Sequence, residues 1–217
     1  MMFDYGWVHW GSFFAATFLL NAAPGPDLGY VFAQTLKNGR AGGFAAMFGI
    51  WAGAFGHVFM AAVGLSALLA ASATVFATIK WLGAAYLVWL GIDAFRSAAS
   101  SGQEMQEAGN AVMSSPSSAI FLQGAVIALL NPKTAIFFLA FLPQFVVEGA
   151  GTVSQQLLLH GALVVVLAAF IDPWVVLLGE KLSASLNRNS QFATFANRLL
   201  GTVFIGLGIR LVFMNRW

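Results

Sequence analysis

The sequence contains no cysteine, and few of its residues carry a charge. Only 8% of the 217 residues are Asp, Glu, Lys or Arg, against about 25% in a soluble domain. So few charges cannot cover a surface that faces water, and 59% of the residues are hydrophobic. The lack of cysteine excludes disulfide frameworks, thiolate metal sites and dithiol redox relays. We therefore expect an integral membrane protein.

The sequence also lacks the motifs of nucleic-acid binding and of common enzymes. No run of Lys and Arg supplies a footprint for a nucleic acid. No phosphate-binding GxxxxGK[ST] motif, HExxH motif or GxSxG nucleophile elbow occurs. The three histidines, His9, His57 and His160, are far apart in the sequence, which argues against a dedicated metal site. We expect neither an enzyme nor a resident cofactor.

Six apolar stretches of about 20 residues or more predict transmembrane helices. They cover Trp7–Gln34, Ala41–Ala71, Val75–Phe95, Ser118–Val147, Gln156–Leu178 and Ala193–Phe213. Polar connectors separate them at Leu36–Arg40, Ser97–Ser117, Glu148–Ser154 and Lys181–Gln191. The 97–117 connector divides one all-α transmembrane domain, 1–217, into two three-helix halves, about 7–96 and 118–214.

The distribution of basic residues predicts how the bundle is oriented. They concentrate at the first, third and fifth connectors, which is typical of the cytoplasmic side. These residues are Lys37, Arg40, Arg96, Lys181, Arg188 and Arg198, and the opposite side carries Lys80, Arg210 and Arg216. We therefore expect both termini to be external.

The two halves resemble each other in sequence. The third stretch contains Lys80-Trp-Leu-Gly83-Ala-Ala-Tyr86-Leu87, and the sixth contains Arg198-Leu-Leu-Gly201-Thr-Val-Phe204-Ile205. The first and fourth stretches are each interrupted by proline near the centre. With three helices per half, the second half must insert upside down relative to the first. Inverted halves with broken helices at matching places are typical of a transporter with a site at the midplane.

The first interruption is the segment Asn21-Ala-Ala-Pro24-Gly25-Pro26-Asp27. Its two prolines remove two amide donors, so a helix cannot run through with its hydrogen bonds intact. The freed carbonyl groups must face protein or a water-filled cavity, because lipid offers them no partner. The alternative is a simple proline kink that serves packing.

The second interruption is Asn131-Pro132-Lys133-Thr134. Asn is a good N-cap and Pro is favoured at the first helical position, so we expect a half-helix to begin here. A lysine at this depth is costly and needs an anionic partner. That partner is either the Asp27 carboxylate, in a structural ion pair, or a substrate carboxylate whose accompanying ammonium group binds Asp27.

Two further ionisable residues lie deep in the predicted helices. His57 continues a stripe of small residues, Ala45, Gly49 and Gly53, that predicts contact with another helix. It is either a hydrogen-bonded packing residue or a proton relay. Asp172, followed by Pro173, either caps a helix break caused by the proline or carries a coupling proton. Asp27, His57 and Asp172 are thus the candidates for proton coupling, and His160 is expected near the interface.

These motifs together resemble the lysine exporter (LysE/RhtB) family, and most closely its homoserine/threonine (RhtB-type) branch. The resemblance rests on Asn21–Asp27, Lys80–Leu87 with Leu90-Gly91, Asn131–Lys133 and Leu142-Pro143-Gln144-Phe145, in this order along the whole chain. It implies a bacterial inner-membrane protein that exports amino acids or their derivatives in exchange for protons. The family's proline motifs map onto Pro24–Asp27 and Asn131–Lys133.

The resulting hypothesis is a secondary active exporter that works by alternating access of the two halves. Substrate would bind at Asn21, Pro24, Gly25, Pro26, Asp27, Asn131, Pro132 and Lys133. A passive facilitator for small zwitterions is the main alternative, and a divalent-metal exporter is a weaker one. A homodimer is compatible with the glycine faces at Gly83/Gly91 and Gly201/Gly208.

Overall fold

The computed structural model describes residues 5–22, 25–65 and 116–186, together with isolated positions between 78 and 96 and between 198 and 213. All regular structure in these parts of the chain is helical. The helices are α1 (Trp7–Ala22), α2 (Pro26–Met60), α3 (Ser117–Leu130), α4 (Pro132–Ile136) and α5 (Val153–Leu186). A π-helical turn, Ala61–Leu65, extends α2, and the turns Phe137–Phe141 and Leu142–Phe145 extend α4.

Two of these helical stretches are long and apolar enough to cross a membrane. They are Pro26–Gly64 and Val153–Gly179, and the pair α3 and Pro132–Phe145, bent by 51°, counts as a third if it is one broken span. The chain is therefore all-helical wherever it is described, as expected. The six-helix arrangement as two inverted repeats stays a prediction.

Several predicted features lie outside the described residues. They are most of the third and sixth apolar stretches, the 97–117 connector up to residue 115, Pro24, Lys80, Arg188, Arg210 and Arg216.

The first connector is much shorter than the predicted Leu36–Arg40. Helical structure continues through Asn38, whose side-chain amide donates a hydrogen bond to Gln34 Oε1 at 2.6 Å. The direction of the chain changes at Gly39 alone, with φ 65° and ψ −168°. This positive φ is accessible to glycine without steric cost. The prediction of a five-residue connector is wrong, because one glycine is enough for the turn.

Helix α5 is longer than the predicted fifth stretch and is not broken at Pro173. It runs from Val153 to Leu186 with Pro173 inside it. A proline removes one helical hydrogen bond but does not end a helix that is held by packing on both sides. The interpretation of Asp172 as the cap of a helix break is therefore wrong, and so is the predicted start of the last connector at Lys181.

The largest apolar cluster lies between α1, the extension of α4 and α5. Its buried members include Phe13, Phe137, Phe141, Leu142 and Phe145. This cluster packs α1 against residues 137–145, which follow the second interruption, and thereby connects the regions next to the two interruptions.

The predicted contact of the small-residue stripe with another helix is confirmed. A Cβ atom placed on Gly53 would lie 2.5 Å from the carbonyl oxygen of Ala125 in α3, and one on Gly49 would overlap the carbonyl oxygen of Phe121. From the other side, a Cβ on Gly124 would come within 2.8 Å of the Ala46 carbonyl oxygen. The α2 and α3 backbones thus approach as closely as glycine allows.

Replacement of Gly53 by valine is expected to destabilise the protein by about 1–3 kcal/mol, because the added atoms meet backbone rather than a movable side chain. The thermal unfolding midpoint of the purified protein in detergent measures this. Gly11→Ala is the control, since a Cβ at Gly11 has nothing within 4 Å. Equal midpoints for both variants would contradict the close approach.

Candidate functional site

The first interruption separates α1 from α2. Helix α1 ends at Ala22, and α2 begins at Pro26, which occupies the first helical position after the extended residue Gly25. Asp27 follows in the first turn of α2, where the helix dipole favours a negative charge. The Asn21 side chain donates to the carbonyl oxygen of Val164 in α5 at 3.0 Å. The chain thus leaves the helical path here, so the interruption is more than a kink.

The second interruption has the predicted capped geometry. Asn131 has an extended backbone, and its side-chain oxygen accepts a hydrogen bond from the Lys133 amide at 2.9 Å. Pro132 is at the first helical position of α4. The predicted N-cap and half-helix start are therefore confirmed. Lys133 occupies the position after the proline, as Asp27 does in α2.

Side-chain hydrogen bonds connect the two interruptions directly. The Asn131 amide donates to Asp27 Oδ1 at 2.8 Å, and the Thr134 hydroxyl donates to Asp27 Oδ2 at 3.1 Å. Both carboxylate oxygens of Asp27 therefore accept bonds from the start of α4. Within the described parts of the chain, no ion pair joins Asp27 to Lys133, and the binding of substrate at these two residues stays a prediction.

The residues around the two interruptions line one cavity, part of which is open to the outside. The predicted site residues on its wall are Asn21, Gly25, Asp27, Asn131, Lys133 and Asp172. Pro26 and Pro132 begin the two helices beside it. His57 is not among the described lining residues. The remaining wall is mainly apolar and includes Leu20, Ile50, Phe138 and Val164.

Two ionisable side chains of the cavity wall, Lys133 and Asp172, have polar atoms without a hydrogen-bond partner in the described part of the chain. The Lys133 ammonium group has no hydrogen-bond or ion-pair partner among the residues that the structure describes. Asp172 is 6% exposed, and its Oδ2 accepts a hydrogen bond from the Trp51 indole at 2.7 Å. Trp51 and Thr134 are not among the predicted site residues. Thr134 directly follows Lys133 and could have been included on that ground, whereas nothing in the sequence points to Trp51.

His57 completes the hydrogen bonding of the second interruption. Its Nε2 lies 3.0 Å from the carbonyl oxygen of Ala128, and since a carbonyl only accepts, Nε2 carries the hydrogen. In an unbroken helix the amide of residue 132 would donate to this carbonyl, but Pro132 has no amide hydrogen. The Asn131 amide donates to the same carbonyl at 3.2 Å, and His57 supplies a second donor. The interpretation of His57 as a hydrogen-bonded packing residue is confirmed, and its role as a proton relay stays a prediction.

His57→Gln is expected to retain transport and an unchanged pH profile, because an amide can still donate to the Ala128 carbonyl. His57→Leu removes one of the two donors to that carbonyl, since the Asn131 amide still donates to it at 3.2 Å. We expect a loss of about 0.5–1.5 kcal/mol and a modest decrease in both transport and thermal stability. Initial transport rates between about pH 5 and pH 8 measure this. A changed pH profile in His57→Gln alone would instead indicate that His57 carries a proton.

His9 and His160 are in contact, although they are 151 positions apart. Their Nε2 atoms are 2.8 Å apart, and His160 is buried at 1% exposure. The His160 Nδ1 lies 2.8 Å from the Gln156 carbonyl oxygen and must donate to it, so one hydrogen lies between the facing Nε2 atoms. The indole of Trp10 stacks on His160. This pair of histidines, although far apart in the sequence, fastens α1 to α5.

Comparison of the sequence with known proteins identifies its family. A family model described as LysE type translocator matches residues 18–215. An uncharacterized membrane protein, YrhP, of Bacillus subtilis is 31% identical over 86% of this chain and 90% of its own length. A leucine efflux protein of Enterobacter sp. is 25% identical over 99% of this chain and 100% of its own length.

A further relative, the homoserine/homoserine lactone efflux protein of Salmonella typhi, is 27% identical over 93% of this chain and 95% of its own length. No solved structure gives a significant match. The family match covers both interruptions and the cavity between them. The chain therefore belongs to the LysE type translocator family of multi-pass membrane exporters and is not an enzyme.

Proposed function

We propose that this protein is a secondary active exporter of neutral, zwitterionic amino acids, such as homoserine or threonine, and that it exchanges them for protons across the bacterial inner membrane. The observation that carries the proposal is the cavity between the two interruptions. It is lined by the ammonium group of Lys133 and by the carboxylates of Asp27 and Asp172. Leucine and homoserine, which are two of the compounds in the names of the relatives, are zwitterions of the same class.

The start of α4 is suited to a substrate carboxylate. Lys133 lies in the first turn of α4, and its ammonium group forms no hydrogen bond or ion pair with any residue that the structure describes. A helix N-terminus attracts negative charge as well, so an anion there would satisfy both groups. The ammonium group of the same substrate then needs a carboxylate of the cavity, which Asp27 or Asp172 can supply.

The similarity of the two interruptions supports alternating access. Gly25-Pro26-Asp27 and Asn131-Pro132-Lys133 each consist of an extended residue, a proline at the first helical position and a charged residue after it. Such matched broken helices occur where inverted repeats meet. We propose that two three-helix halves rock around these breaks, with both termini external as the basic residues of the connectors favour.

Counterflow in proteoliposomes tests the function. Vesicles are loaded with an unlabelled amino acid, and uptake of the labelled form is followed for a panel that includes homoserine, threonine, leucine and lysine. We expect uptake of neutral amino acids, enhanced by an imposed pH gradient, and no uptake by Lys133→Met. Uptake that is linear in concentration and independent of the gradient would favour a passive facilitator. No uptake of any amino acid would contradict the proposal.

A further inference from the structure

We infer that Asp172 is the carboxylate that binds the substrate ammonium group and the exchanged proton in turn, whereas Asp27 holds the two helix breaks together. The inference rests on the proposed exchange of zwitterions for protons. It moves to Asp172 the ammonium-binding role that is one of the two alternatives predicted for Asp27.

Asp27 is already engaged by the protein. Both of its oxygens accept hydrogen bonds from α4, one from Asn131 and one from Thr134. It also lies in the first turn of α2, whose dipole favours its negative charge. A substrate ammonium bound to Asp27 would compete with these bonds, and their loss would separate the two interruptions.

One carboxylate oxygen of Asp172 is available to accept a hydrogen bond from a substrate. Its Oδ2 accepts the Trp51 bond, and its Oδ1 has no hydrogen-bond partner in the described part of the chain. The side chain lines the same cavity as Lys133 but projects from α5 rather than α4. The cavity therefore presents an unoccupied carboxylate oxygen and an unpartnered ammonium group on two different helices. A zwitterion has one group for each.

Competition of a proton and the substrate ammonium group for the Asp172 carboxylate is sufficient for exchange. The charged groups that share the cavity with Asp172 are Asp27 on α2 and Lys133 on α4, while Trp51 and Asn21 are uncharged. With Asp27 and Lys133 both charged, an ionised Asp172 leaves one negative charge in excess. A proton on Asp172 removes this excess. A zwitterionic substrate leaves the net charge unchanged, but its ammonium group pairs with the same Asp172 oxygen while its carboxylate pairs with Lys133. Because both cannot bind at once, each displaces the other.

Binding of radiolabelled leucine and homoserine to the purified full-length protein tests the inference, measured between about pH 5 and pH 8. Both amino acids stay zwitterionic in this range. In the wild type, we expect the dissociation constant to rise by up to about tenfold per pH unit as the pH falls, because one proton competes with each substrate molecule. In Asp172→Asn, we expect weaker binding that no longer depends on pH.

A substrate analogue tests the ammonium contact separately. 2-Hydroxy-4-methylpentanoate keeps the side chain and carboxylate of leucine but lacks the ammonium group. We expect the wild type to prefer leucine strongly. Asp172→Asn should reduce that preference by about tenfold or more, because it removes both the contact with the leucine ammonium group and the repulsion between Asp172 and the anionic analogue. Glu148→Gln, a change in an exposed carboxylate, is the control and should behave as the wild type.

Other outcomes distinguish the possible errors. A pH dependence that persists in Asp172→Asn, or a preference for leucine that disappears in Asp27→Asn instead, would overturn the inference. If Asp172→Asn does not fold, Trp51→Phe replaces it: loss of the donor to Oδ2 should move the pH of half-maximal leucine binding upward, and no movement would overturn the inference. Failure of the wild type to bind or exchange any amino acid would overturn the proposed function itself.

Discussion

Lys133→Met is expected to lower amino-acid exchange by about 30-fold or more without destabilising the protein. The loss corresponds to the removal of one partner of a buried charge contact with the substrate, about 2 kcal/mol or more. Stability should be unchanged or higher, because the Lys133 ammonium has no partner in the described structure and methionine avoids its desolvation cost. Counterflow rates and the unfolding midpoint of the same preparation give the two measurements.

The opposite directions of the two effects make this prediction specific. If Lys133 were held in a structural ion pair, its replacement would lower the unfolding midpoint together with the activity. Lys37→Met is the matched control, because Lys37 is exposed on the predicted cytoplasmic side. Wild-type exchange rates in Lys133→Met would contradict the assignment of the site.

Asp27→Asn is expected to abolish exchange and also to lower stability. The substitution removes the charge that accepts bonds from Asn131 and Thr134 and places an amide hydrogen against one of these donors. Hydrogen bonds to a charged group contribute about 1.5–3 kcal/mol each. We therefore expect a lower unfolding midpoint, together with loss of counterflow for every amino acid in the panel.

Thr134→Val separates the contributions at Asp27. It removes the hydroxyl donor but leaves the carboxylate and the Asn131 bond, so we expect a smaller loss of stability and a measurable exchange rate. An Asp27→Asn variant that unfolds at the wild-type temperature would show that the bonds between the two interruptions contribute little.

The features that could be predicted from the sequence are local ones. A proline without an amide hydrogen and a capping Asn act within one helical turn, so the interruptions at Asn21–Asp27 and Asn131–Lys133 were placed correctly. The charges of Asp27 and Lys133 could also be recognised locally, because each stands within an apolar stretch of the sequence. The small-residue stripe could be interpreted because its spacing of four is a property of a single helix.

The features that could not be predicted depend on distant contacts or on packing. The Trp51–Asp172 bond joins residues 121 positions apart, and the His9–His160 contact joins residues 151 positions apart. Pro173 lies inside a continuous helix because packing outweighs the lost bond, which propensity does not report. Gly39 shows the same limit, since nothing local distinguishes a one-residue turn from a loop.

The Asn131 side chain has a chemical consequence for the lifetime of the protein. Its amide nitrogen donates to Asp27 while its oxygen accepts from Lys133, so hydrolysis to aspartate would replace the donor by an acceptor that repels the Asp27 carboxylate. Spontaneous deamidation of asparagine proceeds mainly by attack of the next residue's amide nitrogen on the side chain. In Pro132 that nitrogen has no hydrogen to lose, so this route is closed. The proline that interrupts the helix thus also protects from deamidation a side-chain amide that links the two halves of the site.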